Sequence, residues 1–152
     1  MLKKTLLIVL LLSTQLVHAN TEKNHSGVYA CKGNNNKVGD YEFTLTLKLN
    51  KLNSRDNVNV YDVTGQTENA TNYFGKALVN GNKMSLAFRI SDYKDNTFGV
   101  GMAVFKFNQE KSWTFTTQYY EPAENDGISG TEVCAFQAPV TPKKLPEEPN
   151  QS

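Results

Sequence analysis

Two cysteines, Cys31 and Cys134, are the residues of this chain with the widest choice of chemistry. Cys31 could carry a lipid anchor, act as a nucleophile, bind a metal or form a disulfide. A lipid anchor would follow an apolar leader directly, and Cys31 lies well beyond it. A structural zinc site needs four close ligands, but the two cysteines lie 103 positions apart. A nucleophilic cysteine needs a base, and His25 is the only histidine after the leader. An even number of cysteines in an exported chain predicts a disulfide.

Acidic side chains are concentrated between residues 121 and 132. Calcium loops place oxygen ligands at regular, tight spacing. Glu121, Glu124 and Asp126 do not, so we interpret them as a solvated turn. Alternation places Glu132 on the same strand face as Cys134. Glu132 is then either a buried carboxylate that could orient a ligand or a rim residue in contact with water. We favour the rim residue. We predict no catalytic residue, no metal ligand, no cofactor and no enzyme activity.

The first nineteen residues have the pattern of a secretory signal peptide. Lys3 and Lys4 precede an apolar run, and small residues precede a cleavage position after Ala19. The uninterrupted run, Leu6 to Leu12, is far shorter than the roughly 20 residues of a membrane span. We therefore predict a protein exported to the bacterial periplasm or secreted, with a mobile N-terminal segment over residues 20–26.

Apolar and polar residues alternate with period two along most of the remaining chain. The clearest runs are 41–49, 83–90 and 112–120, and such alternation marks strands with one dry and one wet face. Turn-forming residues separate the runs, and Asn80-Gly81 predicts a type I′ hairpin. The predicted strands are 27–32, 41–49, 58–65, 72–79, 83–90, 97–107, 112–120 and 128–136.

Short connections between eight strands predict an all-β fold, an antiparallel up-and-down β-barrel over residues 27–136. Cys31 and Cys134 lie in the first and last strands. Those strands are neighbours only if the sheet closes, so the disulfide favours a closed barrel. Residues 137–152 hold four of the five prolines and are predicted to be a disordered tail.

Aromatic side chains dominate the predicted inner face. Phe43, Phe88, Trp113, Phe115 and Tyr119 either line a ligand pocket or fill the barrel as core. Small residues on the sixth strand, among them Gly99 and Gly101, serve close packing or leave room for a ligand. The sequence leaves both questions open.

The first strand resembles that of the lipocalins and avidins. Gly27-Val28-Tyr29 is similar to their Gly-x-Trp start, with Tyr in place of Trp. The resemblance covers residues 27–136 and implies a calycin-type barrel that binds a small ligand. Lipocalins usually place a basic residue late in the barrel. The arginines of this chain are Arg55 and Arg89, and neither lies in the last predicted strand. No binding residue is carried over.

The chain also resembles, more weakly, the periplasmic inhibitors of C-type lysozyme. Tyr29-Ala30-Cys31 and Cys134 match their outline of a first-strand Tyr-x-Cys and a late cysteine. Their inhibitory Ser-Gly-x-x-Tyr loop does not occur, because Ser26-Gly27 is followed directly by Val28-Tyr29. This resemblance therefore implies the architecture more than the activity.

The predicted function is binding, in a monomer. Without Lys3 and Lys4 the chain keeps 14 basic and 15 acidic residues with no basic patch, which excludes nucleic acid as a partner. We expect a small hydrophobic ligand in or at the mouth of the barrel. The alternative is a protein partner, for example a hydrolase that the chain inhibits, bound at a patch around Tyr73, Tyr93, Tyr119 and Tyr120. The candidate ligand residues are Phe43, Phe88, Trp113, Phe115, Tyr119 and Glu132.

Overall fold

A computed structural model describes residues 23–68, 72–91, 98–110, 112–122 and 127–141. The predicted signal peptide lies outside these ranges, as do residues 20–22, Tyr93, Glu124, Asp126 and the tail from residue 142. Within the described residues, no helix has the length and apolar character needed to cross a membrane.

The eight predicted strands are confirmed, and their bounds shift by three residues at most. Each strand pairs antiparallel with its neighbours in the chain, and the first pairs with the last. The result is a closed up-and-down barrel, which is consistent with a calycin-like architecture. The strands are β1 Gly27–Asn35, β2 Gly39–Leu49, β3 Asn59–Thr67, β4 Asn72–Asn80, β5 Lys83–Ile90, β6 Phe98–Phe107, β7 Trp113–Glu121 and β8 Ile128–Ala138.

The predicted disulfide joins the two strands that close the barrel. Cys31 in β1 lies directly opposite Cys134 in β8, and their sulfur atoms are bonded at 2.03 Å. Closing so long a loop stabilises the fold by up to about 4–5 kcal/mol in the chain-entropy model. Cys31 therefore has a structural role.

The hairpin between β4 and β5 differs from the type I′ turn expected for Asn80-Gly81. Asn80 pairs with Lys83 across the hairpin, so the two-residue loop is Gly81-Asn82. Gly81 has a φ of 60° and Asn82 has no positive φ. A positive φ at the first central residue alone is the geometry of a type II′ turn. The turn is thus one residue later than predicted.

Alternation along the strands separates a buried inner face from an exposed outer face. In β6, Ala103 and Phe105 are buried, whereas Met102 and Val104 are exposed. The central part of the barrel is filled by inward side chains from most of the strands. The largest of them that are fully buried are Tyr29, Leu47, Tyr61, Phe105 and Phe115.

The two ends of this core are chemically different. At the acidic end, where β1 turns into β2 and β7 into β8, the inner side chains include Glu121 and Glu132. At the histidine end, where β4 turns into β5, the segment before β1 packs into the barrel and carries His25.

His25 closes the histidine end by stacking. Its ring lies 3.9 Å from that of Phe105, centroid to centroid, and meets Trp113 edge-on at 4.6 Å. The His25 main-chain N–H donates to the Tyr61 hydroxyl, and its carbonyl accepts from the Tyr29 hydroxyl. The residue is 1% exposed. His25 belongs to the segment over residues 20–26 that we predict to be mobile, of which residues 20–22 lie outside the described ranges.

Candidate functional site

Five aromatic side chains form a closed circle inside the acidic end, which we call the aromatic collar. Neighbouring rings around it are spaced evenly, with centroids 6.0 to 6.2 Å apart. The hydroxyl oxygens of Tyr41 and Tyr119, 2.9 Å apart, complete the circle. The collar consists of Tyr41 and Phe43 from β2, Tyr73 from β4, Phe88 from β5 and Tyr119 from β7.

Inward glycines on the other four strands make room for the collar. Gly33, Gly65, Gly99 and Gly130 each lie directly opposite a collar residue, which is Tyr41, Tyr73, Phe88 and Tyr119 respectively. A Cβ on Gly99 would come within 2.2 Å of the Phe88 ring, and one on Gly33 within 2.3 Å of the Tyr41 ring. These rings therefore occupy the space that side chains on the neighbouring strand would fill. For Gly99, the open choice between close packing and ligand space is settled as close packing.

A chain of hydrogen bonds runs from the rim of the barrel to Glu132. The Asn35 amide donates to the Tyr119 hydroxyl at 3.0 Å. When Glu132 is ionised, the Tyr41 hydroxyl donates its one hydrogen to Oε1 of Glu132 at 2.9 Å. Tyr41 then has no second hydrogen to donate, so the Tyr119 hydroxyl donates to the Tyr41 oxygen, also at 2.9 Å. The chain ends on the carboxylate, which it holds in one position.

Glu132 points into the barrel and is half-buried, between the buried carboxylate and the rim residue that we considered from the sequence. Inward alternation in β8 brings it beside Tyr41, and no other described residue donates a hydrogen bond to it. Burial is the main cause that raises the pKa of the Glu132 carboxyl to about 7. The hydrogen bond from Tyr41 lowers this pKa, and the negative charge of Glu121 raises it further. Close to neutral pH the group therefore exchanges its proton easily.

Glu121 is the second carboxylate of the site, and the interpretation of it as part of a solvated turn was wrong. β7 runs one residue further than predicted, and alternation turns Glu121 inward, where it is 6% exposed. No described residue donates a hydrogen bond to its side chain. Burial raises the pKa of Glu121, whereas the positive charge of Lys37 lowers it to a smaller extent. Two desolvated acids thus share the acidic end.

The collar and the carboxylates enclose a small cavity. Its volume is about 30 Å³, and Tyr41, Phe88, Glu121 and Glu132 are among the residues that line it. It adjoins a depression of about 560 Å³ at the mouth of the barrel, and Tyr41, Tyr73, Tyr119 and Glu121 line both. The barrel is packed along its middle. A second depression, of about 540 Å³, lies at the histidine end beside Phe105 and Trp113, but its lining, among the described residues, holds neither collar residues nor carboxylates.

The structure brings together four of the six predicted ligand residues. Phe43, Phe88, Tyr119 and Glu132 line the cavity. Phe115 belongs instead to the packed core, where its ring contacts those of Tyr29 and Phe105. Trp113 lies at the histidine end against His25.

Sequence reasoning missed Tyr41, Tyr73 and Glu121 as members of the site. Strand pairing could have found the two tyrosines, because each faces a glycine across a short hairpin. Glu121 follows the last residue of the predicted strand, so only the true end of β7 reveals it.

The arrangement is suited to binding a polar group between aromatic faces. Among the described residues, no group of three or more histidine, cysteine or acidic side chains could hold a metal ion. Comparison of the chain with known family models, curated proteins and solved structures finds no significant match. The function is therefore argued from the site itself.

Proposed function

We propose that the protein is a non-enzymatic binding protein that takes one small ligand at the acidic end of its barrel. The observation that carries the proposal is the cavity inside the aromatic collar, which adjoins the larger depression at the mouth. Binding sites are typically concave and mostly apolar, with a few fixed polar groups. Here the apolar wall is the collar, and the fixed polar group is Glu132.

The packing of the barrel supports a ligand position at the mouth. The core below the collar is filled by buried side chains such as Leu47, Tyr61 and Phe115. A cavity of about 30 Å³ has the volume of roughly one water molecule in the liquid, so only the tip of a ligand enters it. The body of the ligand lies in the depression against apolar side chains, among them Val38 and Ile90.

Binding without chemical conversion fits the separation of the titratable groups. His25 is the one histidine among the described residues, and it lies at the end opposite the two carboxylates. The groups that touch the cavity are acids, phenols and apolar rings. The Glu132 carboxylate is held by Tyr41 in a position suited to a hydrogen bond with a ligand.

Native mass spectrometry of protein purified from its natural source tests the proposal. We expect an additional small-molecule mass that is lost on activation. Phe88→Trp, which fills the cavity, should abolish this mass, whereas the same exchange at the exposed Phe107 of the histidine end should retain it. Protein that carries no co-purified or exchangeable small molecule would contradict the proposal.

A second candidate function, binding of a protein partner, is favoured by a different surface. Of the patch expected around Tyr73, Tyr93, Tyr119 and Tyr120, Tyr93 lies outside the described residues. Tyr73 and Tyr119 face the cavity, and Tyr120 is exposed. Outward side chains of β6 form an apolar stripe on the outside of the barrel, and large apolar patches of this kind often mark interaction sites. The stripe consists of Phe98, Val100, Met102 and Val104, which are 43 to 69% exposed.

Affinity capture from periplasmic extract or host extract tests this second candidate. Met102→Lys should remove any protein captured through the stripe. Thr44→Lys introduces the same charge on the outer face of β2, away from the stripe, and should leave capture unchanged. If wild-type protein and both variants capture the same proteins, or none, the stripe is not a docking surface.

A further inference from the structure

We propose that the ligand of the acidic end is a primary alkylamine in its charged form. Its ammonium group occupies the cavity inside the aromatic collar, and its alkyl part lies in the depression at the mouth. This inference rests on the proposed function, because it assigns the chemistry of the ligand to that same site.

The charges of the site call for a cation. Glu121 and Glu132 both line the cavity, and neither forms an ion pair with a described residue. The ion pairs present among the described residues, Lys32–Glu42 and Lys76–Asp62, involve the outer face. Around the mouth, the charged lining residues are four acids and one base: Asp40, Glu42, Glu68 and Glu121 against Lys37. An anionic ligand would be repelled by this surface. A cation would supply the counter-charge that Glu132 lacks and would add to that of Lys37 at Glu121.

Glu121 gives an observation independent of the acidic cluster. Its side chain is more than nine-tenths buried, lines the cavity, and receives no hydrogen bond from a described residue. Buried carboxylates are nearly always paired or hydrogen-bonded in stable proteins. The small exposed part of Glu121 faces the cavity and the depression, so a ligand there can donate a hydrogen bond to its carboxylate.

The aromatic collar favours a cation for a second reason. The face of an aromatic ring carries partial negative charge, and cages of such rings with acidic neighbours bind ammonium groups. The five collar side chains come from four strands and surround the cavity. Because the inward glycines fix their positions from the adjacent strands, little conformational freedom is lost when the ligand enters.

The size of the cavity distinguishes a primary ammonium from a quaternary one. The available volume is about 30 Å³, which corresponds to roughly one water molecule. An –NH₃⁺ group has this size and carries three donors, enough for both carboxylates and one further acceptor. A trimethylammonium group is several times larger and has no N–H to donate.

Isothermal titration calorimetry with a matched panel of ligands tests the proposal. The panel is hexylamine, hexyltrimethylammonium, hexanol and hexanoate, which share one chain and differ in the head group. We expect hexylamine to bind at least about tenfold more tightly than each of the others, which corresponds to one charge-assisted hydrogen bond. Equal binding of hexanol would overturn the assignment of an amine while leaving a ligand site in place. Native mass spectrometry that finds no ligand, together with no binding of any panel member, would overturn the proposed function as well.

Isosteric variants locate the bound amine. Glu132→Gln keeps an oxygen that can accept from Tyr41 but removes the charge, and it should lower the affinity for hexylamine by about tenfold or more. Glu121→Gln should also weaken binding. Glu110→Gln makes the same change on an exposed residue beyond β6 and should have no effect. Unchanged affinity in both cavity variants would overturn the proposal.

The pH dependence gives a readout that a purely structural role of Glu132 would not produce. The charged or titratable groups around it are Tyr41 from β2, Tyr73 from β4, Tyr119 and Glu121 from β7, and Lys37, Asp40, Glu42 and Glu68 at the mouth. Because the pKa of Glu132 is raised to about 7, binding of the amine should strengthen from about pH 6 to about pH 8, with release of a proton. In Glu132→Gln this increase should be lost; an increase that persists there would contradict the role of Glu132.

A lysine side chain of a protein carries the same ammonium group as a free amine. An acetylated lysine methylamide and a lysine-containing peptide are therefore added to the panel. Weaker binding of both than of hexylamine supports a small-molecule ligand. Tighter binding of the peptide would assign the site to a protein partner and overturn the small-molecule part of the proposal.

Discussion

At the histidine end of the barrel, a segment of the chain packs inside and stacks His25 on Phe105, whereas at the acidic end the strands' own side chains leave a cavity. The ring of His25 is buried without a hydrogen bond to either nitrogen, and its neighbours are aromatic. Glu132 is held by a phenol and faces open space. Both ends therefore bury a titratable group, and each has a depression, of about 540 Å³ at the histidine end and about 560 Å³ at the acidic end. Of the two, only the acidic end has carboxylates among the described residues that line it.

The contrast shows that position along a strand matters as much as the face of the strand. Trp113 and Tyr119 both face inward from β7, yet one packs against His25 and the other completes the collar. Between them, Phe115 is part of the packed core. Along the inner face of β7, the residues therefore belong first to the closed histidine end, then to the packed core and last to the candidate site.

The strongest test of this contrast compares the same truncation at the two ends. Phe105 is 2% exposed and tightly packed, so Phe105→Ala should destabilise the protein by about 3–5 kcal/mol. Phe88→Ala should cost less, about 1–3 kcal/mol, because Phe88 is partly exposed and already borders a cavity. Urea unfolding of both variants measures the difference. Equal losses would mean that the two ends are packed alike.

A second test uses the pH dependence of the carboxylate. The folded state raises the pKa of Glu132 from 4.5 to about 7, so its contribution to stability is fully present below pH 4.5 and is lost as the pH rises through 7. Glu132→Gln should therefore be more stable than wild type at about pH 8, by up to about 3 kcal/mol, and the difference should shrink near pH 5. Unfolding curves at the two pH values check this, and a difference independent of pH would argue against a desolvated carboxyl.

A third test concerns the space that the glycines provide for the collar. Gly99→Ala would bring a Cβ within 2.2 Å of the Phe88 ring, and we expect a loss of about 1–3 kcal/mol from overpacking. Gly101→Ala on the same strand meets its nearest atoms at 3.1 Å and should cost less. If thermal unfolding ranks the two variants in the opposite order, Gly99 does not define the position of the collar.

The smallest expected effect is the pH response of the histidine end. Burial lowers the pKa of His25. The Gly81 main chain, which approaches the ring without the geometry of a hydrogen bond, opposes this shift, and the repulsion of Lys23 adds to it. Because the folded-state pKa is depressed, the contribution of His25 to stability is complete above the ordinary pKa of 6.5. Below that value it falls by at most about 1.4 kcal/mol for each pH unit. His25→Phe keeps the stacking and should remove this acid sensitivity, in contrast to Glu132→Gln. Identical acid unfolding of His25→Phe and wild type would contradict this view of the histidine end.

The sequence was sufficient for the strands and for the closure of the barrel. Alternation defines the inner face within a strand, and the positions of Cys31 and Cys134 require the first and last strands to meet. Neither signal gives the position of a residue along the barrel axis, because that position depends on strand tilt and register. For this reason Trp113 and Phe115 were grouped with Tyr119, although only Tyr119 reaches the cavity.

The parts of the site that were missed depend on register and on the ends of elements. Glu121 was assigned to a turn because β7 extends one residue beyond its predicted end. Tyr41 and Tyr73 join the site through strand pairing, because each faces a glycine on the neighbouring strand. The collar becomes visible only when each glycine is paired with the aromatic residue opposite it.

The most direct test of the acidic end as a ligand site is the pKa of Glu132, measured by carbon-13 NMR of its side-chain carboxyl with and without hexylamine. We predict a value of about 7 in the free protein, and a lower value when the amine is bound, because a nearby cation favours the ionised form. A pKa close to the ordinary 4.5 that hexylamine leaves unchanged would contradict the account.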